Sequence, residues 1–318
     1  LDTLTNAGSS RDQGQDTRQD AGDPESISGE TPPPDVYERA LEDNPDGDIA
    51  KGLDDIEGGV EEADAEEPVA ETVMKALRFL KEEADSGNLD PVIGRDHIVD
   101  QLTDTLQKMR KSNALLVGDA GVGKTAVVEA LAQRMAEDGT TSAFSDRPLI
   151  EVNLSTLVSG TKYRGDFEAR LSWLIRYCEK RRAILFIDEF HTLLGVGGSS
   201  SQLDASNILK PALARGSFSC IGATTPGDMS DLRHEEALMR RFTTINVSEP
   251  TLEQTERILM GVKRDYELFH GLEVVTGVET DIVSLTKTHI PERRFPDKAL
   301  DTLDEAAGVA KRNGDAII

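Results

Sequence analysis

Cysteine, aromatic residues and long apolar runs are all scarce in this sequence. Its 318 residues include two cysteines, Cys178 and Cys220, which are too few for a disulfide-stabilised fold or a cysteine-based zinc site. No stretch approaches the ~20 consecutive apolar residues that a membrane-spanning helix needs. Positive charge is scarce as well, because 35 Lys and Arg face 59 Asp and Glu, for a net charge of −24. Since nucleic-acid binding needs clustered Lys and Arg, we expect no nucleic-acid partner. The lack of long apolar runs predicts no membrane partner, and we expect a cytoplasmic protein.

The negative charge is concentrated near the amino-terminal end. Residues 1–70 carry 21 Asp and Glu but only 4 Lys and Arg, and their one aromatic residue is Tyr37. Such a segment cannot bury enough apolar surface to offset the entropy that it loses on ordering. We therefore predict that residues 1–70 form a disordered acidic tail or linker. A solvated spacer and a segment that binds an adaptor or another partner both remain open.

Beyond residue 70, short apolar runs alternate with helix-length segments. Residues 71–88 have the apolar spacing of a linker helix. Five runs have the character of buried strands, at 114–118, 149–153, 183–188, 218–224 and 243–247. This alternation predicts an α/β fold with a five-stranded parallel sheet covered on both faces, over residues 89–250. Three helical patterns from Thr251 onward predict a small all-α domain over residues 251–318.

The first of these strands leads into a glycine-rich loop with the pattern G-x-x-x-x-G-K-[ST]. The loop comprises Gly118, Asp119, Ala120, Gly121, Val122, Gly123, Lys124 and Thr125. Its glycines let backbone N–H groups surround phosphate oxygens at the positive end of the following helix. We expect Lys124 to reach the β- and γ-phosphates and the Thr125 hydroxyl to hold Mg²⁺. A dinucleotide fingerprint that begins at Gly121 also fits, but it leaves Gly118 and the Lys-Thr pair unexplained, so we predict a nucleoside triphosphate.

Two carboxylates follow the apolar run at 183–187. We expect Asp188 to bind Mg²⁺, directly or through water, and Glu189 to orient and deprotonate the attacking water. A strand that ends in ordinary solvated acids is the alternative. The phosphate loop upstream favours the functional interpretation, and the expected cofactors are ATP and Mg²⁺.

Eight segments that follow one another in order resemble the first ATPase domain of the Clp unfoldases, within the AAA+ superfamily. They are LDPVIGRD (89–96), GDAGVGKT (118–125), GTKYRGDFEARL (160–171), LFIDEFHTLLG (185–195), NILKPALARG (207–216), IGATT (221–225), ALMRRF (237–242) and PDKALDTLDEAA (296–307). The resemblance covers roughly residues 75–313. It implies an AAA+ P-loop ATPase that forms a ring, usually hexameric, with the nucleotide between a large α/β subdomain and a helical lid.

The resemblance also implies roles around the nucleotide. Val92, Ile93 and Gly94 match the segment that flanks the adenine base. Thr225 matches the sensor that positions the water. Arg294 lies near the sensor position of the lid, where a plain surface arginine is the alternative.

The resemblance further implies that some matched residues face neighbouring chains or substrate. Arg240 and Arg241 match the arginine pair that reaches the γ-phosphate of the neighbouring subunit, where guanidinium groups neutralise phosphoryl charge. Lys162, Tyr163 and Arg164 match a pore loop whose aromatic residue grips substrate polypeptide. The Gly-Ser-rich residues 195–201 fit a mobile second pore loop, and a simple flexible turn is the alternative.

Two functions remain open because the resemblance covers one ATPase domain. The first is an ATP-driven unfoldase or remodeller that threads protein substrates through the central pore of a homo-oligomer. The second is a nucleotide-switched assembly or regulatory ATPase subunit that translocates nothing. A nucleic-acid motor is disfavoured by the charge.

Overall fold

The computed structural model describes residues 63–138, 144, 146–161, 164–193 and 205–318. The first part of the described chain contains α1 (Ala63–Met74), β1 (Leu77–Phe79), α2 (Leu80–Asp85), α3 (Asp96–Leu106), β2 (Asn113–Val117), α4 (Lys124–Asp138), β3 (Leu149–Val152) and α5 (Leu154–Val158). There follow α6 (Arg164–Arg181), β4 (Ile184–Ile187), a 3₁₀ turn (Phe190–Leu193), α7 (Ser206–Arg215), β5 (Ser219–Thr224), α8 (Pro226–Leu232), α9 (Glu236–Met239) and β6 (Phe242–Asn246). The last helices are α10 (Leu252–His270), α11 (Val278–His289) and α12 (Asp297–Asn313).

The strands form one sheet in the order β1-β3-β4-β5-β2-β6. The five strands from β2 to β6 run parallel to one another, as the alternating pattern predicts. The sheet has a sixth strand that the apolar pattern did not reveal, because β1 pairs antiparallel with β3, with Leu77 opposite Val152. The α/β prediction is confirmed, and the five-strand count is corrected to six.

The expectation of one linker helix over residues 71–88 is wrong. Helix α1 ends at Met74, and β1 and α2 follow within the same stretch. The apolar spacing around Leu77 fits a helix, but the open edge of β3 offers backbone partners that a helix cannot use. Arg78 also pairs with Glu151 on β3 across 3.1 Å. Tertiary contacts therefore override the local periodicity.

The predicted disorder of residues 1–70 is also wrong in part. Residues 63–70 belong to α1, and Ala70 and Val73 are buried in the same apolar cluster as Trp173 of α6. Helix α1 thus has an apolar face that packs against α6. Residues 1–62 lie outside the described part of the chain.

Apolar side chains alternate between the two faces of the sheet. Leu115 and Leu185 belong to the cluster on one face, whereas Leu116 and Phe186 belong to the cluster on the other. All residues of β2, β4 and β5 are buried. This burial is typical of a parallel sheet with helices on both faces, and it fixes the strand ends where polar residues emerge.

The three carboxyl-terminal helices have an apolar cluster of their own, centred on Leu259, Ile282 and Leu303. Thr251 caps α10 through a reciprocal capping box with Gln254, which satisfies backbone donors that the helix itself leaves free. The helix ends at Gly271 in the left-handed conformation. Among the described residues, no helix has the length and apolar character needed to cross a membrane.

Candidate nucleotide site

The site forms where three neighbouring parallel strands end. Strand β5 lies between β4 and β2, and Asp188, Thr225 and Gly118 follow the carboxyl ends of β4, β5 and β2 respectively. The amide of Gly118 donates a hydrogen bond to the carbonyl of Thr224 at 3.2 Å. Ligands of open α/β sheets bind at this edge. The sheet therefore brings the phosphate loop, the acidic pair and the expected sensor together.

Close packing and backbone conformation explain the glycines of the phosphate loop, which spans residues 118–125. A Cβ on Gly118 would lie 2.3 Å from the carbonyl oxygen of Val247. Gly121 has a φ of +79°, a region that favours glycine. Asp119, Ala120 and Gly123 complete the loop, and the Val122 side chain is buried beneath it.

The ammonium group of Lys124 lies against the loop that it is expected to serve. Its Nζ donates to the carbonyl oxygens of Gly118, at 2.9 Å, and Asp119, at 3.0 Å. Burial lowers the pKa of Lys124, and nearby carboxylates, Asp188 first among them, oppose that shift. A half-buried cation whose hydrogen bonds go to backbone carbonyls is suited to binding phosphate oxygens.

Thr125 and Asp188 place two oxygen ligands side by side. The Thr125 hydroxyl donates to Oδ2 of Asp188 at 3.3 Å, and Oδ1 of Asp188 accepts a hydrogen bond from the Glu189 amide at 2.8 Å. Mg²⁺ prefers oxygen ligands of this kind and keeps several water molecules. The residues present therefore fit a magnesium ion that also contacts phosphate.

Glu189 and Thr225 lie at the ends of β4 and β5. Glu189 is exposed and has a φ of +48°, in the left-handed region. The Thr225 hydroxyl donates to Oδ2 of Asp228 at 2.6 Å. Both residues follow strands at the edge that carries the phosphate loop, and their individual roles toward the attacking water remain predictions.

The segment that contains Val92, Ile93 and Gly94 lies against the first of the last three helices. Ile93 packs so closely on α10 that a Cβ on Gly261 would lie 1.8 Å from its Cδ1. Val92 is half-buried and Gly94 has a φ of +73°. The expected adenine-flanking segment therefore lies between the sheet domain and the lid helices.

Arg95 is a site residue that the motifs did not identify. It is 6% exposed, and it donates to the carbonyl oxygens of Val122 in the phosphate loop and of Ser248, the latter at 3.0 Å. Burial lowers its pKa. The sequence signal for Arg95 was its position two residues after Ile93 and directly before the amphipathic helix α3, which is an unusual place for a solvated charge.

The lid helices reach the phosphate loop through Arg294 and Asp297. Nε of Arg294 lies 2.9 Å from Oδ2 of Asp119, and its NH1 lies 3.4 Å from Glu249. The amide of Asp297 donates to the carbonyl of Gly121 at 3.4 Å. Arg294 thus contacts the nucleotide loop, which favours the sensor interpretation over a plain surface arginine.

Arg240 and Arg241 are not brought to the phosphate loop of their own chain. Arg240 pairs with Glu236 at 3.0 Å on the surface, and NH1 of Arg241 donates to the carbonyl of Ala214 at 3.2 Å. The carbonyl of Arg241 accepts a hydrogen bond from Asn113, the first residue of β2. The loop follows the last residue of β2, so five residues at ~3.3 Å each place the two groups about 16 Å apart along the strand.

The expected pore loops fall largely outside the described part of the chain. Lys162, Tyr163 and residues 195–201 lie outside it, and Arg164 is the first residue of α6.

Two family models match the chain. The model described as the ATPase family associated with various cellular activities (AAA) matches residues 114–249, and the AAA lid domain matches residues 251–317. Together they span more than half of the chain. Both matches coincide with the α/β region and with the three helices that follow it.

Sequence relatives point to a particular branch of that family. The chaperone protein ClpB of Nitratidesulfovibrio vulgaris is 41% identical over 269 residues, which are 83% of this chain and 31% of the relative. ClpB of Vibrio cholerae is 42% identical over 266 residues, which are 81% of this chain and 31% of the relative. The chain thus spans about a third of the length of these relatives.

Solved structures of Hsp104 have folds similar to that of this chain. The S. cerevisiae Hsp104–ADP complex matches with a TM-score of 0.71 and 38% identity, over 77% of this chain and 42% of that one. An extended Hsp104:casein complex matches with a TM-score of 0.69 at the same identity and coverage. The chain therefore belongs to the AAA family of ATPases and is similar, within it, to the Clp proteins.

Proposed function

We propose that the chain binds ATP with Mg²⁺ and hydrolyses it to ADP and phosphate. The observation that carries this proposal is the meeting of Lys124, Thr125 and Asp188 at one sheet edge. Family membership supports it, because the matched model describes ATPases. The similarity of the fold to an Hsp104–ADP complex supports an adenine nucleotide in particular.

The chemistry follows from the placement of charge. Thr125 and Asp188 would hold Mg²⁺, which neutralises charge on the β- and γ-phosphate oxygens. Lys124 binds the same phosphates, and Thr225 orients the attacking water. Glu189 accepts a proton from this water while the water oxygen forms a bond to the γ-phosphorus. The bond to the bridging oxygen breaks, and ADP leaves with the electron pair.

The arginine pair would act on a neighbouring chain. Arg240 and Arg241 lie at the amino ends of the strands, whereas their own phosphate loop lies at the carboxyl ends, and both arginines are exposed. An exposed cationic patch that is remote from its own site is suited to completing the site of the next subunit. A head-to-tail interface forms a ring where its rotation closes. We therefore propose a homo-oligomer whose hydrolysis depends on assembly, with six chains as the resemblance to the Clp unfoldases implies.

Glu189→Gln tests the hydrolysis. Replacing the carboxylate removes the proton acceptor but keeps the shape of the side chain, so ATP turnover should fall ~10²–10⁴-fold while ATP binding persists. Steady-state phosphate release and equilibrium nucleotide binding measure the two effects. Asp104→Asn, on the exposed face of α3, is the matched control. Undiminished turnover of Glu189→Gln would remove Glu189 from the proposed reaction.

We also propose that hydrolysis drives the remodelling of protein substrates that pass through the ring. The similar proteins named as ClpB chaperones and the Hsp104:casein complex support this proposal. Tyr163 would grip the polypeptide, assisted by Lys162 and Arg164. A cytoplasmic location and an adaptor bound by the acidic amino-terminal residues remain predictions.

Tyr163→Ala separates remodelling from the alternative of a nucleotide switch. A threading enzyme that loses its aromatic grip should retain ATP turnover within about twofold, because the nucleotide-binding residues are unchanged. It should no longer unfold a fluorescent reporter protein. If the variant unfolds the reporter normally, or if unfolded polypeptide never changes the ATPase rate, threading is contradicted and the switch is favoured.

A further inference from the structure

A polar cluster joins the turn that carries Glu189 to the end of β5. It consists of His191, Thr224, Thr225 and Asp228. Nδ1 of His191 lies 3.3 Å from Oγ1 of Thr224 and 3.6 Å from Oδ2 of Asp228. The same Oδ2 accepts the hydrogen bond from the Thr225 hydroxyl at 2.6 Å. One carboxylate oxygen thus faces both His191 and the expected sensor.

The turn after β4 needs to be held in place. Glu189 has a φ of +48°, and a non-glycine residue keeps such a conformation only where its surroundings enforce it. Phe190 anchors the apolar side of the turn, because it is fully buried with its ring centroid 5.1 Å from that of Phe242. His191 is the next residue, and it supplies the polar anchor on β5.

Helix capping alone does not account for the whole cluster. The amide of Asp228 donates to Oγ1 of Thr225 at 3.3 Å, so this pair caps the start of α8. A cap requires neither His191 nor Thr224, yet both complete the cluster, and Thr224 is 1% exposed. Asp228 is also among the carboxylates that act on the pKa of Lys124, which places its charge close to the phosphate site.

We infer that His191 and Asp228 are positioning residues of the hydrolysis site. They hold the turn of Glu189 and the hydroxyl of Thr225 in a single arrangement, so that the carboxylate and the hydroxyl address the same water molecule. Oδ2 of Asp228 can only accept a hydrogen bond, whereas the Thr224 hydroxyl can accept or donate, so a proton on Nδ1 of His191 would suit both oxygens. This inference rests on the proposed ATPase function and adds residues that touch neither ATP nor the reacting water.

Steady-state ATP hydrolysis by the full chain tests the inference. In His191→Ala and in Asp228→Ala, kcat should fall about 10- to 100-fold, because small misplacements of reacting groups have effects of that size. The KM for ATP and the affinity for fluorescent ADP should stay within about twofold of the unmodified values, since the phosphate loop is unchanged. A purely structural role would instead lower affinity together with kcat.

Two further variants sharpen the result. His191→Asn keeps an N–H close to the position of Nδ1, so it should retain kcat within about fivefold of the unmodified value. The double variant His191→Ala/Asp228→Ala should be no slower than the slower single variant, because residues that act as a unit are not additive. His289→Ala, on an exposed position of α11, is the control and should match the unmodified chain.

The outcomes separate this inference from the proposed function. If the unmodified chain hydrolyses ATP and Glu189→Gln does not, but His191→Ala and Asp228→Ala turn over normally, only the inference is overturned. It is likewise overturned if His191→Asn is as slow as His191→Ala, or if the two single losses simply multiply. A chain that hydrolyses no ATP at all overturns both.

Discussion

Gly121 shows how a single residue links the phosphate loop to the lid. Its φ of +79° is left-handed, and a Cβ at this position would lie 2.7 Å from Cβ of Asp297. Its carbonyl also accepts a hydrogen bond from the Asp297 amide at 3.4 Å. The loop pattern in the sequence predicts this glycine because of phosphate binding. Its second constraint, the close approach of α12, depends on tertiary packing and was not predictable from the pattern.

Gly121→Ala should therefore weaken both stability and ATP binding. The substitution combines backbone strain with a clash against Asp297, so we expect a loss of about 1–3 kcal/mol in unfolding free energy and at least tenfold weaker ATP binding. Chemical denaturation and nucleotide titration measure these effects.

Gly308→Ala is the matched control for this prediction. Gly308 lies within α12, and a Cβ added there would have no neighbouring atom within 4 Å. The control should be neutral or stabilise the chain by up to about 1 kcal/mol, because alanine favours a helix interior over glycine. Equal behaviour of the two variants would contradict the account.

Arg95 is a site residue that the sequence motifs did not identify. The resemblance predicted a role for Val92, Ile93 and Gly94. The side chain that joins this segment to the phosphate loop is that of Arg95. A motif shows which residues occur together in sequence. It does not show which of them turns inward to donate to carbonyl groups 27 and 153 residues away.

Among the secondary-structure elements, β1 depends most on contacts that are distant in sequence. Arg78 pairs with Glu83 of α2 at 2.7 Å, and with Glu129 of α4 and Glu151 of β3 at 3.1 Å each. Hydrogen bonding to Glu83 is the main cause that raises the pKa of Arg78. Three residues of strand would be marginal alone. The arginine attaches β1 to the helix that follows the phosphate loop, which local periodicity could not reveal.

Arg78→Met should destabilise the chain in a pH-dependent way. Burial raises the pKa of Glu129, and Arg78 opposes that shift, so the pKa rises further without the arginine. When the pKa of a carboxyl group is raised in the folded state, the folded state favours the protonated form. The charged form is therefore destabilising above that pKa, and protonation at lower pH removes the penalty. We expect a loss of about 1–3 kcal/mol near neutral pH that becomes smaller at about pH 5.

Urea denaturation at the two pH values measures this difference. Lys75→Met, which removes an exposed pair with Glu71, should leave stability unchanged within experimental error at either pH, because exposed ion pairs contribute little. A loss for Arg78→Met that is equal at both pH values, or larger in acid, would show that Glu129 does not carry the effect.

For the whole molecule, the common direction of the parallel strands separates two groups of functional residues. The phosphate loop, Asp188, Glu189 and Thr225 lie at the carboxyl ends of the strands. Arg240 and Arg241 precede β6, at the amino ends. The motifs predicted the residues at each edge. The distance between the two ends of the sheet followed only from parallel pairing, with Asn113 opposite Phe242. This distance supports the proposal that the arginines act on a neighbouring chain.

Mixing two inactive variants tests the shared site most directly. We expect Lys124→Ala to lose nucleotide affinity but to keep Arg241. We expect Arg241→Ala to keep its phosphate loop but to leave the site of the next chain incomplete. Each alone should be nearly inactive. Co-refolded in equal amounts, they should form sites with both groups intact at about one interface in four, the random expectation for a head-to-tail ring. Recovery of about a quarter of the unmodified ATP turnover would support the account, and no recovery in assembled mixed rings would contradict it.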